Sequence, residues 1–284
     1  MSLKVRTFTG VIFGLVMIGG ILLSLESCAV LFWLVAAFCL WELSGHTLLQ
    51  DGTTFVNRTR RVLFMVLGLF LPTLTIINYT FGIAGTLQAW VLFPTMAFSL
   101  FLFELSGKSA RPFDNIAQVF LGIVYLAMPF SLLMHLLSND FEAFGGAANQ
   151  FVLATILMVW AGDVFAYLIG SKIGKNKMFP RISPKKTWEG TIGGITGAIL
   201  VGGICSVVFT AFNFSLVFWI GLACICTVLG ILGDLVESML KRSLGIKDSG
   251  TLLPGHGGFL DRFDAFIFVI PFVYTYVTIW FYFT

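Results

Sequence analysis

The segment from Asp234 to Asp264 has the residue types and spacing that chemistry requires. It contains five acidic and four basic residues, in a chain of which only 11% is charged. Its first part places polar residues at i, i+3, i+4, i+7 and i+8, on one face of a predicted helix: Asp234, Glu237, Ser238, Lys241 and Arg242. Carboxylates next to basic side chains can hold a divalent cation together with phosphate groups.

A glycine-rich link follows this helix. The run Pro254-Gly255-His256-Gly257-Gly258 ends the helical pattern and allows the bare backbone to approach a ligand closely. Asp261 and Asp264 come next, at i and i+3, on one side of a new helix start. The segment therefore predicts a site for a metal and phosphates, built from two helix ends and the link between them.

This segment resembles the signature of phosphatidate cytidylyltransferases (CDP-diacylglycerol synthases). A looser likeness extends over residues 163 to 264, and a faint one covers Lys4-x-Arg6-x-x-Thr9-Gly10. The signature itself consists of Ser238-x-x-Lys241-Arg242, Lys247-Asp248, Pro254-Gly255-His256-Gly257-Gly258 and Asp261-Arg262-x-Asp264. The resemblance implies a multi-spanning enzyme that uses a divalent metal. The enzyme would join CTP to phosphatidate, giving CDP-diacylglycerol and pyrophosphate for phospholipid biosynthesis.

A second informative stretch runs from Asp163 to Gly190. Asp163, Tyr167, Gly170 and Gly174 share one helix face, and small residues there favour close helix packing. An acid this far inside an apolar run is costly unless it faces a partner or a cavity, which makes Asp163 a candidate functional residue.

The basic loop after this helix carries a second resemblance to the same family. Its block is Ser183-Pro184-Lys185-Lys186-Thr187-x-Glu189-Gly190, directly before the next apolar run. Helix N-termini favour anions, so a triphosphate is expected between this loop and residues 234–264. The alternative is an ordinary cytoplasmic loop whose bases face anionic lipid head groups.

The composition is that of an all-α integral membrane protein. Hydrophobic residues make up 58% of the chain and the mean hydropathy is +0.96. A helix needs roughly 20 apolar residues to cross a bilayer. On that basis the chain has about nine transmembrane helices, near residues 8–25, 28–49, 61–79, 87–106, 115–137, 150–171, 189–211, 215–234 and 264–282.

The basic residues predict the orientation. All 17 Lys and Arg fall in the N-terminus, in alternate loops and in residues 241–262, so nine spans place them all on one side. The positive-inside rule makes that side cytoplasmic, with the N-terminus and the active site inside and the C-terminus external. The compact length favours a bacterial plasma (inner) membrane. The net charge of +3 follows from this orientation, and no nucleic-acid partner is expected.

The chain is expected to divide near residue 150. Residues 1–150 form a transmembrane scaffold of spans 1–5, and residues 151–284 form the catalytic region of spans 6–9, with cytoplasmic loops 172–188 and 235–263. A short repeat, Trp41-Glu42-Leu43-Ser44-Gly45 and Phe103-Glu104-Leu105-Ser106-Gly107, occurs in the scaffold. Its two glutamates are predicted to snorkel or to make interhelix hydrogen bonds. The five cysteines lack the spacing of a zinc site or a disulfide framework.

The reaction implied by the resemblance assigns roles to these residues. Mg²⁺ prefers a few carboxylates plus phosphate oxygens. It would be held by Asp234, Asp261 and Asp264, with room for a second, monovalent or divalent, cation. Lys241 and Arg242 join these acids as catalytic residues, because they would neutralise the triphosphate. The expected substrate-binding residues are Lys185, Lys186, Ser183, Thr187, Ser238, Lys247, Asp248, His256, Gly257, Gly258, Arg262, Asp163 and Glu237. The family suggests a homodimer in the lipid bilayer.

Three other functions remain open from sequence. A CTP-dependent lipid kinase of the dolichol or phytol type shares the membrane setting, but the complete signature favours nucleotidyl transfer. A CDP-alcohol phosphotransferase would need a longer acidic pattern than Asp51-Gly52 offers. An ion-coupled transporter would place its acids near the bilayer midplane, whereas these acids cluster at one face.

Overall fold

The computed structural model describes residues 3–48, 51–81, 86–138, 144, 146–212, 214–253, 255 and 257–283. Side chains are described for all of these except residues 3–6, 78–81 and 86–91. Pro254 and His256 lie outside the described residues, so the predicted substrate contact of His256 stays a prediction.

The described chain is built almost entirely from helices. The first four are α1 (Leu3–Leu23), α2 (Leu25–Thr47), α3 (Thr54–Phe81) and α4 (Thr86–Ser106). The fifth helical segment is α5 (Pro112–Gly122), which continues through a π-helical turn (Ile123–Ala127) into α6 (Met128–Leu136). The last four are α7 (Ala148–Ile173), α8 (Trp188–Val208), α9 (Leu216–Ser243) and α10 (Leu260–Phe283).

Seven helical segments of the described chain are long and apolar enough to cross a membrane. Two shorter apolar stretches, Thr7–Leu23 and Leu92–Ser106, fall within α1 and α4. The prediction of an all-α integral membrane protein is therefore confirmed at this level. The count of nine spans and the orientation of the termini stay predictions.

A small antiparallel hairpin, which the sequence analysis missed, interrupts the helical architecture. Strand β1 (Lys177–Phe179) pairs with β2 (Ser183–Thr187), with Lys177 opposite Thr187. The amide of Ile182 donates to the carbonyl of Phe179 at 3.2 Å and closes the turn. Lysine, serine and proline have low strand propensity, so the pairing depends on this turn and not on the residue types. The hairpin folds the basic loop back toward the start of α8.

Helices α7 and α8 pack closely through small residues. A Cβ at Gly194 would lie 2.7 Å from the carbonyl oxygen of Gly162, and one at Gly190 would lie 2.8 Å from that of Ala166. A Cβ at Gly170 would likewise lie 3.3 Å from the Cα of Gly190, so the packing predicted for Gly170 is confirmed. Because the helices approach so closely, the C-terminal half of α7 and the hairpin lie beside the start of α8.

At the other end of the bundle, aromatic side chains fill the space between α7, α9 and α10. The ring centroids of Phe214 and Phe218 are 4.2 Å apart, and Phe144 lies 4.8 Å from Phe151. Trp219 is completely buried among them. This core stabilises the ends of the helices opposite to the polar segment.

A buried ion pair organises the scaffold. Arg60 of α3 donates from Nε to Oε1 of Glu104 in α4 at 2.6 Å, and both side chains are almost fully buried. Arg60 also contacts Asp51 at 3.3 Å, and Asp51 accepts hydrogen bonds from the Ser109 hydroxyl and the Ala110 amide. The hydrogen bond from Ser109 holds the pKa of the Asp51 carboxyl below its ordinary value. The interhelix hydrogen bonds predicted for Glu104 are thereby confirmed.

Candidate active site

Three acids converge where α9 crosses α10. Ligand oxygens of Asp234, Glu237 and Asp264 all lie within 4.8 Å of one another. The crossing depends on Gly233, because a Cβ there would lie 2.6 Å from the Cβ of Phe268 and 3.0 Å from the carbonyl oxygen of Asp264. The absence of a side chain at this position lets the two helices approach until their carboxylates meet. We call Asp234, Glu237 and Asp264 the acidic cluster.

The acidic cluster fits a hard divalent cation. Glu237 is completely buried, and its Oε1 has no hydrogen-bond partner among the described residues. A buried carboxylate oxygen without a donor is costly, and a coordinated cation removes that cost. Three carboxylates within one coordination sphere also match the all-oxygen ligand sets that Mg²⁺ prefers.

Two lysines contact the acidic cluster at different carboxylates. Lys186 of β2 forms an ion pair with Asp234 at 2.6 Å and donates to the carbonyl of Ile231 at 3.0 Å. Lys241 of α9 contacts Glu237 one helical turn away. Ser238 also donates to Asp234, at 3.4 Å. The sequence-predicted residues Ser238, Lys186 and Lys241 therefore do meet at the acids.

Asp261 contacts Lys241 and the loop before α10. Its Oδ1 accepts from Lys241 at 2.7 Å, and its Oδ2 accepts from the Ser249 amide at 2.9 Å, the Ser249 hydroxyl at 3.0 Å and the Gly258 amide at 2.8 Å. Oδ1 thus has one donor and Oδ2 has three, and the Ser249 hydroxyl shares its single proton between Asp261 and Glu42. The structure thus groups Asp234 and Asp264 with Glu237, whereas Asp261 bonds to the loop and to Lys241. The predicted role of Asp261 as a metal ligand stays a prediction. Sequence spacing had placed Glu237 on the correct face but could not show which acids meet.

The loop that Asp261 holds requires a glycine at position 257. Gly257 has a φ of +84°, which strongly favours glycine. A Cβ there would lie 2.7 Å from Oδ2 of Asp261. These contacts show that Gly257 shapes the loop, and its predicted contact with substrate stays a prediction.

A buried glutamate of the scaffold also binds the same loop. Glu42 of α2 accepts from the amides of Phe259 and Leu260 at 3.0 Å each and from the Ser249 hydroxyl at 3.2 Å. It also lies directly against Gly258, where a Cβ would overlap the carboxylate. An anion at the first amides of α10 is stabilised by the helix dipole. Sequence reasoning noticed Glu42 but missed these partners, which lie more than 200 positions away.

His46, one helical turn after Glu42, adds a further contact. Its Nε2 lies 2.8 Å from the carbonyl oxygen of Ser249. The end of α2 thus contacts both the side chain and the backbone of Ser249, the residue that donates twice to Asp261. The scaffold therefore helps to position the loop at the acidic cluster.

A cavity of about 580 Å³ opens beside the acidic cluster. It lies between the C-terminal half of α7, the hairpin, the start of α8 and the end of α9. Six of its lining residues were predicted from sequence, namely Asp163, Ser183, Lys185, Lys186, Thr187 and Asp234. Its other lining residues are Ala166, Tyr167, Gly170, Ser171, Gly174, Lys177, Gly190, Thr191 and Ile231. Lys177 was not predicted as a site residue, because only the hairpin turns it toward this space.

The start of α8 gives the cavity an anion-binding character. Thr187 is the N-cap of α8 and accepts from the Gly190 amide at 3.2 Å. The first turn of the helix lies at the cavity wall, and helix N-termini bind phosphates through their amides and dipole. With Lys177 and Lys185 exposed beside it, this wall complements a polyphosphate.

The other predicted residues lie outside the cavity lining. Arg242 is exposed and donates to the carbonyl of Ile246 at 3.2 Å, just beyond the end of α9. Lys247, Asp248 and Arg262 are also exposed. The catalytic role predicted for Arg242 and the substrate-binding roles predicted for the other three stay predictions.

Comparison with known proteins agrees with this geometry. A family profile, "Cytidylyltransferase family", matches residues 4–280. The chain is 30% identical over 274 residues to the phosphatidate cytidylyltransferase of Bacillus subtilis, covering 96% of this chain and 97% of that protein. It is 33% identical over 272 residues to the phosphatidate cytidylyltransferase of Staphylococcus haemolyticus, covering 95% of this chain and 96% of that one. A match at these levels over nearly the whole length means that the chain belongs to the cytidylyltransferase family.

Proposed function

We propose that this protein transfers the cytidylyl group of CTP to phosphatidate, giving CDP-diacylglycerol and pyrophosphate. Family membership and the names of its relatives support the reaction type and both substrates. The observation that carries the proposal is the juxtaposition of a lysine-bearing cavity with an acidic cluster that includes Asp234. A triphosphate and a divalent cation need such neighbouring surfaces.

The cavity is suited to the phosphates of CTP. Lys177 and Lys185 supply positive charge, and the first turn of α8 supplies amide donors. Lys186 is already paired with Asp234, so it links the phosphate wall to the acidic cluster instead of acting as an isolated cation. This arrangement aligns the α-phosphate of CTP toward the acids.

Asp234, Glu237 and Asp264 would hold the divalent cation. When bound, Mg²⁺ supplies Lewis-acid stabilisation of the negative charge on the reacting phosphates. Lys241 limits the repulsion among the carboxylates, because it contacts Glu237 and Asp261 at once. Asp261 keeps Lys241 in place and fixes the loop before α10.

The transfer itself needs alignment more than a strong base. A phosphate oxygen of phosphatidate attacks the α-phosphorus of CTP, a new P–O bond forms, and the bond to the departing pyrophosphate breaks. A phosphate monoester has a second pKa of about 6, so the nucleophile is already largely dianionic at neutral pH. The residues of this chain therefore bring two anions together and neutralise the leaving group.

We further propose that the site faces the cytoplasm of a bacterial cell, with about nine spans and a cytoplasmic N-terminus. The one-sided distribution of 17 Lys and Arg supports this orientation. CTP is water-soluble and phosphatidate is a lipid, so the site must lie where both can reach it. The acidic cluster lies toward the C-terminal end of α9 and near the N-terminal end of α10, which supports a site at the membrane surface. A homodimer remains part of the proposal on family grounds.

The decisive experiment labels CTP at two positions. Purified protein is incubated with phosphatidate, Mg²⁺ and CTP that carries ³²P at either the α- or the γ-phosphate. We expect lipid-extractable label only from the α-position, with γ-label recovered in pyrophosphate. Transfer of γ-label to a lipid alcohol would instead identify a CTP-dependent lipid kinase, and no transfer in either case would refute both enzymes.

A further inference from the structure

Tyr125 lies in an irregular part of its helix. It occupies the π-helical turn Ile123–Ala127 between α5 and α6. Such turns insert one extra residue and occur frequently at functional sites. The hydroxyl of Tyr125 is buried and has no hydrogen-bond partner among the described residues. A buried hydroxyl left without a partner costs about 1–3 kcal/mol, so its retention needs a reason.

The π-helical turn and α6 both pack against α10, the helix that carries Asp264. His135 of α6 and Tyr274 of α10 lie ten residues beyond Tyr125 and Asp264, and the hydroxyl of Tyr274 lies 3.4 Å from Nδ1 of His135. The titratable groups that act on the hydroxyl of Tyr125 are, in order, Asp264, Glu237, Cys39 and Asp234. The packing of these helices and the acids around the hydroxyl thus place Tyr125 near the acidic cluster.

The helix that carries Tyr125 packs tightly against α3 just before the π-helical turn. Gly122 packs on Phe64 of α3 so closely that a Cβ there would overlap the ring. Adding or removing one residue beyond this point would rotate the following side chains by about 100° around the helix. The π-helical turn thus determines which face of the helix carries Tyr125.

We propose that Tyr125 is a positioning residue of the active site, whose hydroxyl donates a hydrogen bond to an oxygen in the coordination shell of the cation held by the acidic cluster. This inference rests on the proposed function, because it needs the cation that the transfer uses. A tyrosine hydroxyl is a good donor, and oxygens bound to a divalent cation or belonging to its carboxylate ligands are good acceptors. The scaffold then supplies a group to the site as well as holding its loop.

The test is Tyr125→Phe, which removes the hydroxyl and keeps the ring. The melting temperature of detergent-purified protein is measured without substrates as a function of Mg²⁺ concentration. The variant should melt at or above the wild-type temperature without Mg²⁺, because it loses an unpaired hydroxyl. The Mg²⁺ concentration for half of the thermal shift should rise about tenfold, which corresponds to about 1.4 kcal/mol.

Tyr276→Phe is the matched control. Its hydroxyl donates to the carbonyl of Phe218 at 3.1 Å, between α10 and α9 but away from the acids. This variant should lower the melting temperature and leave the Mg²⁺ midpoint unchanged. Tyr125→Met, which also lacks the hydroxyl, serves as a second variant and should shift the midpoint in the same direction as Tyr125→Phe.

Three results would overturn the inference. One is a wild-type Mg²⁺ midpoint in both Tyr125 variants, even if their activity falls. Another is an equal shift in Tyr276→Phe. The third is a wild-type protein whose melting temperature does not respond to Mg²⁺. The proposed function is judged separately by the labelled-CTP assay, so a midpoint shift without liponucleotide synthesis would support Tyr125 and refute the transfer.

Discussion

Glu42→Gln tests whether the scaffold positions the active-site loop. The carboxylate accepts two amide hydrogen bonds at the start of α10 and one from Ser249, and it is 5% exposed. Glutamine keeps the size and one acceptor oxygen, but its NH₂ group must face a donor. The substitution therefore leaves at least one buried donor unpaired and removes the charge from the remaining bonds.

The magnitude follows from these bonds. One unpaired buried donor costs about 1–3 kcal/mol, and hydrogen bonds to a charged group contribute about 1 kcal/mol more than neutral ones. A total of about 3 kcal/mol should destabilise mainly the loop. In this loop the amides of Ser249 and Gly258 donate to Asp261, and Asp261 in turn positions Lys241. We expect activity per folded molecule to fall at least tenfold, which requires only about 1.4 kcal/mol of that total.

Glu104→Gln is the matched control, because Glu104 is the equivalent residue of the second repeat and pairs with Arg60 in the scaffold. Breaking that buried pair should lower the melting temperature at least as much as Glu42→Gln does. Turnover per folded molecule should nevertheless stay near the wild-type value. The assay combines thermal unfolding in detergent with liponucleotide synthesis per folded molecule. Equal losses of turnover in both variants would refute a specific role for Glu42, and so would a normal rate in Glu42→Gln.

Three further outcomes are expected. Lys185→Ala should raise the KM for CTP about tenfold and leave the KM for phosphatidate unchanged, because it removes one charge-assisted phosphate contact. Steady-state kinetics in mixed micelles measure both constants. An unchanged KM for CTP would mean that the loop serves only to orient the protein in the membrane. Gly257→Ala should destabilise the loop by about 1–2 kcal/mol, because the backbone there has a positive φ. Activity per folded molecule should fall as a result, and normal activity would contradict the loop geometry. A reporter fused after residue 180 should lie in the cytoplasm and one after residue 284 outside, and an external signal at 180 would overturn the proposed orientation.

The limits of sequence reasoning are clear at particular residues. Hydrophobic runs predicted each observed helix to within a few residues at most ends, because apolar length is a local property. The main exception is α9, which continues nine residues past the predicted end at 234 and carries Glu237 and Lys241 on one rigid helix. Periodicity had placed both on the correct face.

The remaining features depend on tertiary contacts that no local pattern encodes. Sequence spacing treated Asp261 and Asp264 alike, yet the α9–α10 crossing at Gly233 brings Asp264 to the acids, while donors from Ser249 and Gly258 hold Asp261. The contact of Glu42 with the start of α10 joins residues more than 200 positions apart. Such pairings follow from helix packing and not from the periodicity of either segment.

The assignment of the cation to Asp234, Glu237 and Asp264 is tested most directly by metal binding. Mn²⁺ affinity of the purified protein can be measured by electron paramagnetic resonance, without substrates, for Asp264→Asn, Glu237→Gln and Asp261→Asn. We predict that the first two variants weaken Mn²⁺ binding by at least tenfold, because each removes a charged oxygen ligand. Asp261→Asn should bind Mn²⁺ within a few-fold of wild type, although its turnover falls with the loop. Loss of binding in Asp261→Asn together with retained binding in Asp264→Asn would contradict the assignment.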